Sequence, residues 1–231
     1  MAYELFTKNT PRIRGVLFDM DGLVLDTEKL YCRFWAEAAN ALGFPMTHEQ
    51  SLGMRSLNRE RGQEKLNAYF GPGADYSAIR EKRIELMNAY IAIHGIAPKP
   101  GIRQLLDYLD ANGIRCAITS SSPPEWIEKH LTSQGLAHRF HRLCSGHNMP
   151  NGKPAPDIYL YGAASLDLKP EECLALEDSP TGILAAYRAG CLPIMVPDLD
   201  QPGEDTQSLL FAKADSLADI IDILKTQNGH L

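Results

Sequence analysis

The run Gly15-Val16-Leu17-Phe18 closes in Asp19-Met20-Asp21-Gly22, two aspartates two positions apart at the end of an apolar segment. Its β-branched and aromatic residues predict a buried strand. Residues i and i+2 of an extended chain point the same way, so Asp19 and Asp21 are expected as neighbours at a strand mouth. Adjacent carboxylates repel unless a cation, a base or a shared proton relieves them. The pair therefore points to Mg²⁺ or to proton transfer. Asp-x-Asp-Gly also suits an ordinary turn, so the decision rests on the groups downstream.

Three such groups follow. The apolar segment Arg115 to Thr119 runs into Ser120-Ser121-Ser122, and Cys173 to Leu176 runs into Glu177-Asp178-Ser179. Between them, Gly152-Lys153-Pro154 places a lysine in a rigid loop. Carboxylate oxygens suit Mg²⁺, with Asp19, Asp178 and Glu177 as the available donors. A lysine and hydroxyls suit a phosphoryl group, helped by backbone N–H groups at helix N-termini. An aspartate can attack phosphorus, and a second carboxyl can give and take the accompanying protons. Each piece has a plainer explanation: N-capping for the serines, solvation for Lys153, favourable helix-end charge for Glu177 and Asp178. Four of them at successive loops on one sheet edge are not accounted for that way.

The elements that would position these groups fall into two blocks. Thr27 to about Gly43 reads as a helix, with Leu30, Phe34, Trp35, Ala38 and Leu42 in helical spacing, Thr27 as its cap and Gly43 as its stop. Helices also follow at about His48 to Leu52, Leu57 to Phe70 and Tyr76 to Ile93, with no strand pattern among them. Beyond Pro98 and Pro100, helices and strands alternate: helices at Ile102 to Asn112, Glu125 to Gln134, Asp157 to Ser165, Thr181 to Ala189 and Leu217 to Lys225. The strands between are Arg115 to Thr119, Phe140 to Cys144, Cys173 to Leu176 and Leu192 to Val196. That alternation indicates βαβ units and a parallel sheet. The expected fold is α/β: a Rossmann-like three-layer core, residues 1–27 and 96–231, with an all-helical cap, residues 28–95, inserted after the first strand. In an open α/β sheet the site lies beyond the carboxyl ends of the strands, where the groups above fall.

The 231 residues carry a formal charge of −6, which argues against nucleic acid or an anionic membrane surface as the default partner. Five scattered cysteines, Cys32, Cys116, Cys144, Cys173 and Cys191, form no C-x-x-C and read as small buried hydrophobes in a reducing compartment. No apolar run approaches the roughly 20 residues of a membrane span. The expectation is a cytoplasmic protein, a monomer or weak homodimer, acting on a small metabolite.

Taken as a set, Phe18-Asp19-Met20-Asp21-Gly22-Leu23-Val24-Leu25-Asp26-Thr27, Ile118-Thr119-Ser120-Ser121, Gly152-Lys153-Pro154-Ala155-Pro156-Asp157 and Leu176-Glu177-Asp178-Ser179-Pro180-Thr181-Gly182 resemble the haloacid dehalogenase-like hydrolases, in the phosphatase branch with a small helical cap. The resemblance implies Asp19 as nucleophile and Asp21 as general acid/base with its main-chain carbonyl on Mg²⁺. It implies Ser120 and the Ser121 N–H as holders of the phosphoryl oxygens, Lys153 as the neutralising cation, and Asp178 and Glu177 as metal carboxylates. Ser120 rather than Thr119 takes the second motif, because the hydroxyl should follow four strand residues, Cys116 to Thr119. Relatives that remove halogen lack the second aspartate, so Asp21 favours phosphoryl transfer. Arg55, in a break in the cap, is a candidate for the leaving group or a second anion. Lys82 is a weaker one, because Arg80-Glu81-Lys82-Arg83 reads first as a solvated charged face. The family includes β-phosphoglucomutase, which carries a histidine where this chain has Tyr31. A phenol does not reproduce imidazole chemistry near pH 7, so hydrolysis of a small phosphomonoester is expected over mutase activity. A non-catalytic binding protein on the same fold is the rival of another class; it should have lost Asp19, Asp21, Lys153 or Asp178, and all four are present.

Overall fold

The computed structural model describes residues 3–5, 11–55, 57, 59–199 and 201–229. In chain order these form β1 (Tyr3–Leu5), β2 (Gly15–Phe18), α1 (Glu28–Ala41), α2 (His48–Leu52), α3 (Arg59–Phe70), α4 (Tyr76–His94), α5 (Ile102–Ala111), β3 (Arg115–Ser120), α6 (Pro124–Ser133), β4 (Arg142–Ser145), α7 (Asp157–Ser165), β5 (Cys173–Glu177), α8 (Pro180–Ala189), β6 (Leu192–Met195), α9 (Glu204–Gln207), β7 (Ala212–Ala214) and α10 (Ile220–Asn228). Two compact units result: residues 1–25 with 97–231, and residues 26–96.

The first unit is built on one seven-stranded sheet in the order β1-β7-β6-β5-β2-β3-β4. All pairings are parallel except β1 with β7. β2 and β5 are buried at every residue, which explains why they read as continuous apolar runs rather than alternating ones. One face carries Leu17, Ala117, Cys144, Cys173 and Ala175, which cluster with Tyr159 and Ala163 of α7 and Ala185, Ala186 and Ala189 of α8. The alternating residues Val16, Phe18, Cys116, Ile118, Leu174 and Leu176 are equally buried and point the other way. There α5 packs on β3 and α10 on α5, with Leu105, Leu106, Leu109, Ile220, Ile223 and Leu224 all inaccessible. From β2 the chain works outward through β3 to β4, then returns to β5 and works outward through β6 to β7. The reversal puts a topological switch at the carboxyl end of β2, the place where open α/β sheets bind ligands.

The second unit is helical. α1 packs along α4 over a core of Trp35, Ala38, Ala39, Met54, Leu66, Tyr76 and Ile79. Thr47 and Gln50 form a reciprocal capping box at α2, and the Asp75 carboxylate accepts from the N–H groups of Ser77 and Ala78 at α4. The expected cap at Thr27 is not of this kind: Thr27 already has helical backbone angles, and its side chain makes no cap bond. An N-cap hydroxyl reaches the N–H groups ahead of it from an extended backbone. Gly43 does follow α1 at φ 88°, a left-handed conformation that favours glycine. β1, β7 and α9 are additions to the sequence reading. The five cysteines are buried thiols outside any disulfide. No helix among the described residues is long and apolar enough to cross a membrane.

Candidate active site

The site is assembled from three strand ends and one loop. β2 stops at Phe18, but the Asp19 N–H still donates to the Leu176 carbonyl at 3.0 Å, so the ladder carries Asp19 to the sheet edge. The chain then turns sharply. The N–H groups of Val24 and Leu25 both donate to the Met20 carbonyl, and Gly22 sits at φ 85°. Only a residue without Cβ takes that conformation at low cost, so the glycine after the paired aspartates sets where Asp21 points.

On β3, the Thr119 hydroxyl is turned inward and donates to the Phe18 carbonyl at 3.2 Å. Ser120, 1% exposed, places its oxygen 3.5 Å from Asp21 Oδ2 and accepts from the Ser122 N–H at 3.0 Å. The Ser122 hydroxyl donates to the same Asp21 oxygen at 2.7 Å. Ser121 lies between them, exposed.

Lys153 ties the rest together. Its Nζ donates to Asp19 Oδ1 at 2.5 Å, Glu177 Oε1 at 2.6 Å and the Thr119 carbonyl at 3.2 Å, using all three ammonium protons. Glu177, 1% exposed, also accepts from the Tyr159 hydroxyl and, through Oε2, from Ser179 Oγ at 3.1 Å. The Lys153 ammonium lies 5.1 Å from the centre of the Tyr159 ring, within cation–π range.

Electrostatics follow from this packing. Burial is the largest influence on Asp19 and raises its pKa to about 8; Lys153 pulls it down, while Glu177 and Asp21 push it up again. Burial alone would lower Lys153, but Asp19 and Glu177 outweigh it and the group stays an ammonium. Tyr159 is raised by burial and by Glu177, so its hydroxyl keeps the proton it donates. Three carboxylates around one ammonium leave an excess of negative charge. Asp19, Glu177 and Asp178 each offer an oxygen within 4.8 Å of the others. An all-carboxylate donor set of hard oxygens, short of positive charge, fits Mg²⁺ and does not fit a soft metal.

Residues 13–190 match the haloacid dehalogenase-like hydrolase family. The chain belongs to that family. It is similar to hexitol phosphatase B of Escherichia coli (30% identical, covering 92% of this chain and 96% of the other). It is also similar to β-phosphoglucomutase of Bacillus subtilis (29% identical, covering 80% and 83%). Among solved structures, CbbY of Rhodobacter sphaeroides in complex with phosphate superposes with a TM-score of 0.73 at 30% identity, covering 90% of this chain and 96% of that one. The chain is thus a haloacid dehalogenase-like hydrolase of the branch that holds sugar phosphatases and β-phosphoglucomutase, and an enzyme of the phosphatase type.

The remaining candidates lie in the helical unit. Arg55 donates through Nε to the Leu52 carbonyl at 2.9 Å and lines a pocket with Tyr31, Trp35, Arg80 and Arg83. Lys82 donates to Glu85 at 2.8 Å, an i,i+3 pair on α4. Sequence reasoning passed over Tyr159 and Ser122. Ser122 stood in the serine run already singled out. Tyr159 follows Asp157 by two positions at the start of α7, and only its burial against Glu177 gives it meaning.

Gly182 makes the site sensitive to a single methyl group. A Cβ there would sit 1.9 Å from Glu177 Cδ. In an open helix Gly→Ala gains about 1 kcal/mol. Here the carboxylate is held by Lys153, Tyr159 and Ser179 and cannot step aside, so the overpacking cost of about 1–3 kcal/mol decides the sign. Gly182→Ala is expected to lower Tm by several degrees and to weaken Mg²⁺ binding with it, read by calorimetry on the same samples. A rise in Tm with unchanged metal affinity would show that Glu177 yields freely.

Proposed function

We propose that this hydrolase cleaves a small phosphomonoester, a sugar phosphate or related metabolite, through an aspartyl phosphate on Asp19. The observation that carries the reading is the bridge from Lys153 to both Asp19 and Glu177, beside an Asp21 held by Ser122. That is one nucleophile, one neutralising cation and one separate acid/base. Asp19 attacks phosphorus in line as the bond to the leaving oxygen breaks, and Asp21 gives that oxygen its proton. Water then attacks the phosphorus of the aspartyl phosphate. Asp21 takes the water proton, the bond to Asp19 breaks, and phosphate leaves. Lys153 offsets the charge between Asp19 and the phosphoryl oxygens, which Ser120 and the Ser121 N–H hold. Asp19, the Asp21 main-chain carbonyl, Asp178 and Glu177 would hold Mg²⁺, Glu177 also acting through its bonds to Lys153, Tyr159 and Ser179. When bound, Mg²⁺ supplies positive charge that lets the anionic carboxylate and phosphoryl group meet.

The test is a panel of phosphorylated metabolites with p-nitrophenyl phosphate as reference, with Mg²⁺ and after chelation. Turnover is expected with Mg²⁺ only; turnover that survives chelation overturns the reading. The likeness to β-phosphoglucomutase favours a second reading, phosphoryl transfer between positions of a sugar, against which stands Tyr31 in place of the histidine. Product analysis with glucose 1-phosphate and its bisphosphate separates them: free phosphate for a phosphatase, an isomeric sugar phosphate for a mutase.

We assign Arg55 to the leaving group, with Lys82 second because Glu85 already occupies it. Arg55→Ala is expected to cut kcat/KM for the preferred metabolite by about tenfold or more, the worth of one charge-assisted hydrogen bond, and that for p-nitrophenyl phosphate by less. Equal losses on the two would make Arg55 a surface residue.

A further inference from the structure

Ion pairs such as Arg33–Glu37 and Lys82–Glu85 keep their charges largely in solvent. Lys99 and Asp198 are different. They meet at 2.7 Å with side chains only 17% and 7% exposed, and Asp198 Oδ2 is buried with no hydrogen bond. A buried ion pair is a weak source of stability, because desolvation of both charges opposes their attraction; what it can do is hold one arrangement against others. Here each charge is attached to a segment that meets the site. Asp198 stands beyond β6, where the Val196 N–H donates to the Glu177 carbonyl at 2.8 Å and keeps the chain beside the end of β5. Lys99 stands just ahead of α5. Its own N–H donates to the Val24 carbonyl at 2.9 Å, and its neighbour Pro98 forms an antiparallel bridge with Leu25. Val24 and Leu25 close the turn that carries Asp21. Their N–H groups donate to the Met20 carbonyl, the Leu25 carbonyl accepts from the Gly22 N–H at 2.9 Å, and Leu25 is bridged to Asp21. The Lys99 main chain therefore fastens the outside of the Asp21 turn after β2, while its ammonium reaches the segment after β6, with β5 between those two strands in the sheet. All of these residues belong to the sheet unit.

We infer that Asp198 is a positioning residue for Asp21, acting through Lys99: the buried ion pair holds Pro98 and Lys99 against Val24 and Leu25, and so sets where the Asp21 carboxyl lies. The consequence for turnover rests on the proposed role of Asp21 as acid and base. The hold on the turn does not.

Asp198→Leu removes the charge at similar volume, and the released Lys99 ammonium can turn out to water along its own stem. Lys99→Met/Asp198→Leu replaces the pair by apolar neighbours and serves if the single variant fails to fold by circular dichroism. Hydrogen exchange read by mass spectrometry tests the hold itself. Peptides spanning residues 20–25 and 99–101 are expected to exchange about tenfold faster in the variant, with those of β3 and β4 unchanged. Kinetics test the consequence. A displacement of about 1 Å at a reacting group can cost about 10²-fold, so kcat/KM for a sugar phosphate should fall about 10- to 100-fold. That for p-nitrophenyl phosphate, whose leaving group needs no proton, should fall by less. In an Asp21→Asn background, Asp198→Leu should cost the sugar phosphate nothing further, since the carboxyl it positions is already gone. Unchanged exchange in the turn overturns the inference. Equal losses on the two substrates overturn it too, as do losses that multiply in the double variant. Absence of Mg²⁺-dependent turnover by the unsubstituted protein overturns the phosphatase reading instead, and hydrogen exchange then decides the hold on the turn by itself.

Discussion

Asp19→Asn is expected to remove phosphomonoester hydrolysis, by roughly 10⁴-fold or more, the scale seen when a covalent nucleophile is deleted. The substitution is nearly isosteric, and the amide oxygen can still accept from Lys153, which now donates to Asp19 at 2.5 Å. What is lost is the oxygen that the proposed mechanism bonds to phosphorus. The fold should not suffer. Asp19 is buried beside Glu177 and Asp21, and its raised pKa reports that the anion is costly there without a further cation. Asparagine puts a permanently neutral group where the carboxyl already resists ionising, so Tm in the absence of metal should hold or rise, while Mg²⁺ affinity falls with the loss of one carboxylate. Three measurements on one variant therefore move in different directions: turnover down, metal affinity down, metal-free Tm level or up. Wild-type-like turnover by Asp19→Asn would exclude the aspartyl phosphate. A large fall in Tm would mean that the aspartate holds the fold rather than the chemistry.

Much of this site was legible because its residues interrupt a pattern. Val16 to Phe18 and Cys173 to Leu176 are apolar without break, as strands covered on both faces must be, so the acids that follow each stand out. The helices other than the four-residue α9 were legible from apolar spacing, with ends within a few residues of those observed; α10 begins at Ile220, after a turn of 3₁₀ helix at Leu217–Asp219. β1 and β7 were not legible. They are three-residue strands, and Ala212-Lys213-Ala214 has no β-branched or aromatic residue to mark it. Arg83 was misjudged for a reason that local charge conceals. Arg80-Glu81-Lys82-Arg83 reads as a solvated face, yet Arg83 continues the four-residue spacing of Ile79, Met87 and Ile91 and points inward with them. Periodicity, weighed above charge, would have found it. Thr119 and Ser120 show the opposite limit. Both are hydroxyls at one strand end, and only the alternation of the strand sends one to the Phe18 carbonyl and the other toward Asp21.

On the proposed mechanism, Asp21→Asn separates proton transfer from everything else at the site. Ser122 donates to Asp21 Oδ2 at 2.7 Å, and an asparagine oxygen can accept the same bond, so the turn at Gly22 should keep its shape. General acid–base assistance is typically worth 10²–10⁴-fold, and a loss of about that size is expected for a sugar phosphate, whose alkoxide leaves only with a proton. Metal affinity should change little, because the contact assigned to Asp21 is its main-chain carbonyl, which the substitution retains. The leaving group then gives the sharper test. p-Nitrophenolate departs without a proton, so formation of the aspartyl phosphate from p-nitrophenyl phosphate should be nearly spared. Hydrolysis of that intermediate still needs a base for the water. The variant should therefore show a burst of p-nitrophenol followed by a slow steady state, and acid quenching should trap phosphorylated protein. Equal slowing of both phases, with no burst, would place Asp21 in phosphoryl binding rather than proton transfer. Loss of Mg²⁺ binding would place its side chain on the metal.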